Sequence, residues 1–245
     1  MEAFLTTFGF GRKILKFLEI FIDGGGYKKV LEGLQKTVLI AVLGLVIGIV
    51  IGTLIATVRV VPKYRLLPRL LNKFCNFYVG FFRGTPIVVQ LLLAYYVILP
   101  LLGLNYPSLW VCVIVFGVNS GAYVSEIMRG GIQSVDGGQL EAGRAVGLSF
   151  TTSMMRIVIP QAIKNILPTL GNEFIALIKE TSVVSFVGTL DIYVAFNNIG
   201  TNSYEFMVPY LVMAIIYIVL VMMISALIKV MERRFGKSDR HQESH

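Results

Sequence analysis

The chain has 245 residues, and its composition excludes a soluble globular protein. Hydrophobic residues make up 56% of it and charged residues only 15%, against about 25% charged residues in soluble domains. The mean hydropathy is +0.76. A net charge of +8 in so apolar a chain indicates basic cytoplasmic loops rather than a nucleic-acid-binding surface.

Three segments that contain no Asp, Glu, Lys or Arg mark where the chain crosses a membrane. They are residues 37–58, 84–125 and 206–228, and each exceeds the roughly 20 apolar residues that a spanning helix needs. Barrel strands are shorter and alternate in polarity, so helices are the expected spanning form. The sequence therefore predicts an all-α integral membrane protein with about five transmembrane helices.

The first predicted span, residues 37–58, carries three glycines at a spacing of four. Gly44, Gly48 and Gly52 lie on one helix face, which predicts close packing against a neighbouring helix. The alternative is the ordinary abundance of glycine in membrane helices.

The remaining spans follow from the apolar segments and the breaks between them. The predicted spans are residues 84–99, 108–126, 171–190 and 206–231, with a turn at residues 100–107. The fourth carries charged residues and therefore cannot face lipid on all sides. An odd number of spans places the two termini on opposite sides of the membrane.

Loop charge predicts the orientation of the chain. Residues 59–83 contain six basic residues and no acidic one, whereas the turn at residues 100–107 is uncharged. The positive-inside rule then places residues 59–83, residues 129–168 and the C-terminus in the cytoplasm, and the N-terminus outside.

The N-terminal segment is basic as well as apolar. Residues 1–36 hold six basic and four acidic residues interspersed with phenylalanines, which favours a helix lying in the membrane interface over a floppy tail. We therefore divide the chain into an N-terminal interfacial segment (1–33), a transmembrane domain (34–234) and a polar tail (235–245).

Residues 129–168 form the largest predicted cytoplasmic segment. A short helix is expected up to Gly147, which can adopt a left-handed backbone and end it, and Ser149 is a plausible N-cap for a second helix. Such an elbow can project into a groove of a partner protein. A structured connecting loop without a partner is an equal alternative on these grounds.

Several motifs together resemble one transporter family. The residues Glu141-Ala142-Gly143, followed by Gly147, resemble the "EAA" loop of importer-type ABC permeases. The runs FRGTPIVVQ (82–90), AYVSEIMRG (122–130), PQAIKNILP (160–168) and GNEFIALIKETS (171–182) are similar to signatures of polar amino acid permeases of the histidine, glutamine and arginine type. The resemblance covers residues 34–234.

Two departures from the family pattern lie at this loop. Gly143 stands where the family usually has alanine, and residues 136–138, DGG, lack the proline often found just before the loop. We therefore expect a looser start for the helix that begins near residue 139.

The resemblance implies a transmembrane permease subunit of an ATP-driven importer, with no catalytic residue, metal or cofactor of its own. Glu141, Ala142, Gly143 and Gly147, within residues 139–160, would dock on a separate ATPase subunit that binds ATP and magnesium. The chain has no G-x-x-x-x-G-K-[ST] loop.

The same resemblance implies the other partners and the location. The expected partners are a second permease copy or related chain, an extracytoplasmic amino-acid-binding protein, the amino acid substrate and membrane lipid, but no nucleic acid. The expected location is the bacterial cytoplasmic membrane, crossed several times.

Polar side chains within the spans are candidates for the substrate path, because a zwitterion needs both donors and acceptors. An ion-pair network or ordinary interhelical hydrogen bonds are the alternatives for these residues. The candidates are Arg83, Thr85, Gln90, Asn119, Ser120, Tyr123, Glu126, Lys179, Glu180 and Ser182.

Three other function classes are disfavoured. A secondary transporter would be expected to have carboxylates at the membrane midplane and an internal repeat, and neither is evident. An exporter usually lacks an EAA-type loop, which this chain has. A membrane-embedded enzyme would need a cluster of ligating or catalytic residues, but the only histidines, His241 and His245, lie in the polar tail.

Overall fold

The computed structural model describes residues 9–60 and 66–240. For residues 233–240 it describes only the backbone. Throughout these residues the regular structure is helical, which confirms the predicted all-α class. His241, His245, Lys63 and Arg65 lie outside the described residues, as do the first eight residues of the N-terminal segment. The helices are α1 (Gly9–Leu18), α2 (Gly26–Val60), α3 (Leu66–Gly84), α4 (Ile87–Leu93), α5 (Ser108–Gln133), α6 (Gly137–Ala145), α7 (Phe150–Ser153), α8 (Ile159–Glu180), α9 (Ile192–Ser203) and α10 (Met207–Arg240).

Short irregular helical turns extend several of these helices. A 3-10 turn, Thr181–Val187, follows α8 and ends at Gly188 in a left-handed conformation. The π-helical turns are Glu19–Asp23 after α1, Ala94–Ile98 after α4 and Met154–Val158 after α7.

Three helices in the described part of the chain are long and apolar enough to cross a membrane. They are α2, α5 and α10. Helix α3 and the helical segment from Ile87 to Leu101, which begins with α4, would together form a fourth, broken span. Helix α8 is not in this group. The count of five spans therefore stays a prediction.

Several helices extend beyond the predicted spans or into the predicted loops. Helix α2 begins at Gly26, eleven residues before the predicted start, because the polar first turns are still good helix formers and include a Lys36–Glu32 ion pair of 2.7 Å. Most of the predicted loop 59–83 is helix α3, whose apolar residues recur at helical spacing. Helix α8 starts at Ile159 and ends at Glu180, inside the predicted fourth span.

The chain divides into two compact units. Unit one comprises the chain up to Val42, Ile87–Val115 and Ile178–Met222. Unit two comprises Leu43–Pro86, Phe116–Leu177 and the chain from Met223.

In unit two, helices α2 and α5 pack with their backbones in close approach, as the glycine spacing predicts. A Cβ atom added at Gly48 would lie 2.7 Å from Ser120 Oγ, and one at Gly52 would lie 2.6 Å from Val124 Cγ1. The arrangement is reciprocal, because a Cβ added at Gly117 of α5 would lie 2.6 Å from Ile47. At each of these glycine positions, a side chain of the facing helix fills the space that a side chain would otherwise occupy.

This packing predicts that Gly52→Ala lowers stability. The added methyl group would overlap Val124 and approach the backbone of Ser125, and such overpacking costs about 1–3 kcal/mol. The matched control is Gly80→Ala in α3, which meets no atom within 4 Å and should instead gain up to about 1 kcal/mol from helix propensity. Thermal unfolding of the two variants in detergent provides the comparison, and equal melting temperatures would contradict the prediction.

In unit one, the N-terminal helix α1 packs against α9. Phe17 of α1 is buried in a cluster with Phe196 and Ile199 of α9 and Val208 of α10. At the edge of this cluster, Lys13 forms a 3.0 Å ion pair with Glu205, which lowers the pKa of that carboxyl group. The segment is therefore an ordered helix from residue 9 onward, whereas its location in the membrane interface stays a prediction.

Candidate functional site

The predicted elbow is formed by α6, α7 and the turn between them, all within unit two. Helix α6 ends at Ala145, and Gly147 has a φ of +88°, as expected for the residue that ends this helix. The Leu148 N–H donates to the carbonyl of Gly143 at 3.1 Å and the Gly147 N–H to that of Arg144 at 3.0 Å. These two bonds form a Schellman motif, which satisfies the carbonyl groups at the end of α6.

Both helices of the elbow have capped N-termini. Ser149 accepts a hydrogen bond from the Thr152 N–H at 3.1 Å, as predicted. Asp136 accepts one from the Gly138 N–H at 2.9 Å and caps α6. The expectation of a loose start was therefore wrong, because an aspartate N-cap stabilises the first turn in place of the proline.

The unusual Gly143 has a packing reason. Gly143 is buried, and a Cβ atom there would lie 2.8 Å from Ser153 Oγ and 3.0 Å from the side chain of Ile157. The two arms of the elbow thus meet at a point that has no room for alanine in this arrangement.

The outer surface of the elbow is exposed. Glu141 and Ala142 are exposed, and Val146 beside the turn is 77% exposed. An exposed valine between capped helices presents an apolar tip.

A cavity of about 470 Å³ lies elsewhere in unit two, between α5 and α8, and it contains three of the predicted path residues. Six of its nine lining residues have polar side chains. The lining residues are Arg83, Tyr123, Glu126, Ile127, Gly130, Gly131, Ser134, Asn165 and Thr169.

Glu126 is the centre of a network of charges at this cavity. It pairs with Arg59 of α2, with Arg129 at 2.7 Å and more loosely with Arg83 at 3.8 Å. The guanidinium group of Arg83 also lies 5.5 Å from the centre of the Tyr123 ring, within the range of a cation–π interaction.

The network leaves an excess of positive charge. One carboxylate faces three guanidinium groups, so the four side chains together carry a charge of +2. Arg83 is the most weakly paired of the three and its side chain is 44% exposed, facing the cavity. The arrangement can therefore bind an anionic group such as a carboxylate at Arg83.

Three other path candidates in unit two make hydrogen bonds within the protein. Ser120 donates to Glu173 at 2.9 Å, and Asn119 donates to the carbonyl of Phe82 at 3.3 Å. Thr85 donates to the carbonyl of Phe81 at 2.8 Å, one turn back, where α3 ends before Pro86. Their contact with a substrate stays a prediction.

The remaining four candidates belong to unit one. Lys179 and Ser182 line a cavity of about 570 Å³ that also includes the hydroxyl-bearing residues Tyr193 and Tyr217. Gln90 is buried in α4, and Glu180 is the exposed last residue of α8. The structure thus distributes the ten candidates between two units.

Sequence reasoning missed two members of the charge network. Arg129 follows Glu126 by three positions on one helix, a spacing that predicts side-chain contact and was available in the sequence. Arg59 is 67 positions away from Glu126, and only the packing of α2 against α5 brings it close.

Comparison with known proteins places the chain in a family. Residues 44–237 match the family described as binding-protein-dependent transport system inner membrane component, and the chain belongs to that family. The protein is therefore a permease subunit of an ABC importer, as the motifs in residues 82–182 indicate.

Individual relatives agree with this assignment. The chain is 39% identical over 158 residues to the arginine transport system permease protein ArtQ of Bacillus subtilis, a match that covers 64% of this chain and 72% of the relative. It is 40% identical over 153 residues to a putative glutamine transport system permease protein GlnP of Rickettsia bellii, covering 62% and 70%.

Solved structures show the same fold. A crystal structure of an amino acid ABC transporter with histidines matches with a TM-score of 0.79 and 38% identity, covering 85% of this chain and 94% of that one. The MetNI methionine ABC transporter in an inward-facing conformation matches with a TM-score of 0.70 at 16% identity, covering 84% and 95%, and shows likeness of fold alone.

Proposed function

We propose that this chain is the permease subunit of an ATP-driven importer of polar amino acids, and that it forms the translocation path as a dimer with a second permease chain. In this proposal the elbow at Gly147 docks on a separate ATPase subunit, which binds ATP and magnesium. An extracytoplasmic binding protein delivers the substrate. The observation that carries the proposal is the doubly capped elbow with its exposed tip.

The elbow suits the transmission of motion because it is rigid. Its helices are capped by Asp136 and Ser149, and its arms are in contact at Gly143. A docked element of this kind follows its partner as a rigid body, whereas a flexible loop would absorb the movement. Glu141, Ala142, Gly143 and Gly147 form or support the docking surface in this proposal.

The cavity at Arg83 supports an anionic group on the substrate. Every α-amino acid has a carboxylate, and a weakly paired guanidinium is a strong partner for it. Tyr123 and Asn165 line the same cavity and can interact with other parts of the substrate, the tyrosine ring with a cation and the amide with donors or acceptors.

Co-purification tests the assembly directly. The tagged chain, extracted in mild detergent from its native membrane, should bring down a stoichiometric ATP-binding subunit. A second, related permease chain in the same preparation would indicate a heterodimer, and its absence a homodimer. A clean preparation without an ATPase would contradict the proposal and favour a secondary transporter.

Uptake kinetics test the role of Arg83. We expect Arg83→Gln to raise KM by about 10- to 100-fold, because a charge-assisted hydrogen bond contributes about 1.5–3 kcal/mol. Arg83→Lys should recover only part of the affinity, since lysine keeps the charge but not the bidentate geometry. The control is Arg12→Gln in unit one, an exposed position in α1. An unchanged KM in Arg83→Gln would remove this residue from the substrate site.

Labelling tests the proposed location, in which the chain is a multi-pass protein of the bacterial cytoplasmic membrane with its N-terminus outside and its C-terminus inside. Cys75 and Cys112 are both buried and can be replaced first. A cysteine introduced at Glu141 should then react with a membrane-impermeant reagent only after the membrane is opened. Reaction in intact cells would contradict the proposed orientation.

A further inference from the structure

Asp191 is a buried carboxyl group in unit one that lies between the helices, just before α9. One of its oxygens, Oδ1, accepts a hydrogen bond from the Val194 N–H at 2.8 Å and so caps α9. The whole residue is inaccessible to solvent. Its second oxygen, Oδ2, has no hydrogen-bond partner within the described residues.

Two hydroxyl groups of unit one are also buried without a hydrogen-bond partner in the described chain. Thr37 Oγ1 belongs to α2 and Tyr217 Oη to α10. A Cβ atom added at Gly33 would lie 2.4 Å from the Asp191 carbonyl oxygen, and Thr37 is one turn further along the same face of α2. Tyr217 is close enough for an electrostatic interaction with Asp191.

No described cation neutralises Asp191. The lysine nearest to Thr37 in sequence, Lys36, pairs with Glu32, and Lys13 of α1 pairs with Glu205. Lys179 lines the cavity beside Tyr217, and no ion pair joins it to Asp191 within residues 9–60 and 66–232. The other titratable groups on the surrounding elements are Tyr217 of α10, Tyr193 of α9 and Cys112 of α5, which is 3.6 Å from the Thr189 hydroxyl. None of these side chains can supply a positive charge.

A carboxylate buried in this way is unfavourable unless it is paired. Burial raises the pKa of Asp191 to about 6, against an ordinary value of 3.8, although its backbone hydrogen bonds oppose the shift. Protonation removes this buried charge, which no described cation neutralises.

We propose that Asp191 is a proton-binding site, at which the buried carboxyl group is neutral at mildly acidic pH and becomes charged as the pH rises. It lies at the start of α9, where its backbone closely approaches Gly33 of α2 and its side chain is near Tyr217 of α10. Loss of the proton leaves a buried charge that no described cation neutralises, and so destabilises this part of unit one. The site acts on the stability of unit one and does not depend on the proposed substrate or ATPase partner.

The sign of the pH dependence follows from the raised pKa. The folded protein binds this proton on the order of a hundredfold more tightly than the unfolded chain, given pKa values of about 6 and 3.8. The stabilising contribution is therefore fully present below pH 4 and is lost as the pH rises through about 6.

The experiment compares the wild-type protein with Asp191→Asn by thermal unfolding of the purified complex between pH 5 and 8. The wild type should melt at lower temperatures as the pH rises through 6. Asp191→Asn should show no such decline and should melt above the wild type at pH 8, because asparagine caps a helix as well as aspartate and is neutral at every pH. A wild-type pH dependence retained in Asp191→Asn would overturn the proposal.

Two controls distinguish protonation of Asp191 from titration of another acid and from cation binding. Glu205→Gln removes an acid of the same unit, whose pKa is lowered by its ion pair with Lys13. Because Glu205 stays ionised above pH 5, this variant should keep the wild-type pH dependence of the melting temperature. The infrared C=O band of a neutral carboxylic acid should be present in the wild type at pH 5 and absent in Asp191→Asn. If sodium, compared with choline, stabilises the wild type but not Asp191→Asn at pH 8, the site binds a cation and the proposal is wrong.

Discussion

Proline at position 147 is expected to uncouple ATP hydrolysis from transport. Gly147 has a φ of +88° and donates its N–H to the carbonyl of Arg144, whereas proline has a φ near −65° and no N–H. Proline would therefore destabilise the observed conformation of the elbow by about 3 kcal/mol. Other conformations would be favoured about a hundredfold relative to it. The measurement is substrate-stimulated ATPase activity and uptake of the reconstituted complex, which should fall at least about tenfold at normal expression.

The matched control is Gly137→Pro, ten positions earlier in the chain. Gly137 is the first residue of α6, a position that favours proline, and Asp136 already has the extended backbone (ψ 125°) that a residue before proline requires. Gly137→Pro should therefore keep normal uptake. Normal uptake by Gly147→Pro as well would show that the elbow does not transmit the motion.

Replacing Glu126 by glutamine is expected to destabilise unit two. The substitution removes the one carboxylate that pairs with Arg59, Arg83 and Arg129 and leaves their positive charges close together. Loss of one partner costs about 3–5 kcal/mol for a fully buried pair. Glu126 is 19% exposed and solvent screens part of the charge, so we expect about 2–3 kcal/mol, measured as a lower melting temperature in detergent.

An exposed acid provides the comparison for Glu126. Glu32 pairs with Lys36 at 2.7 Å on the surface of α2, and Glu32→Gln removes the same charge there. Surface pairs of this kind contribute less than about 1 kcal/mol. If the two variants lose equal stability, the network at Glu126 is an ordinary surface feature, and the cavity beside it loses its electrostatic basis.

Local backbone chemistry made the elbow predictable from sequence. Gly147 and Ser149 act through hydrogen bonds to residues within five positions of themselves, so their roles follow from residue type alone. Asp136 acts in the same way, because its side chain caps α6 without the proline that is common in the family. The glycine face of α2 was likewise recognisable, because its spacing has only one geometric consequence in a helix.

The charge network could not be predicted as a whole. Arg59 and Arg83 belong to helices that are distant in sequence from Glu126, and no periodicity within either segment indicates which acid it meets. The same holds for Asp191, whose environment depends on α2 and α10. Helix α3 was predicted as a loop for a different reason, since its basic residues are typical of a cytoplasmic loop although its apolar residues recur at helical spacing.

The interlocked glycines of α2 and α5 limit how the chain can diverge over evolutionary time. Gly48 faces Ser120 and Gly117 faces Ile47, so each small residue is matched to a larger one across the interface. A gain in volume on one helix is tolerated only with a compensating loss on the other, as in Gly117→Ala with Ile47→Gly. Substitutions at these positions should therefore occur in pairs, so that the facing residues of α2 and α5 covary among relatives.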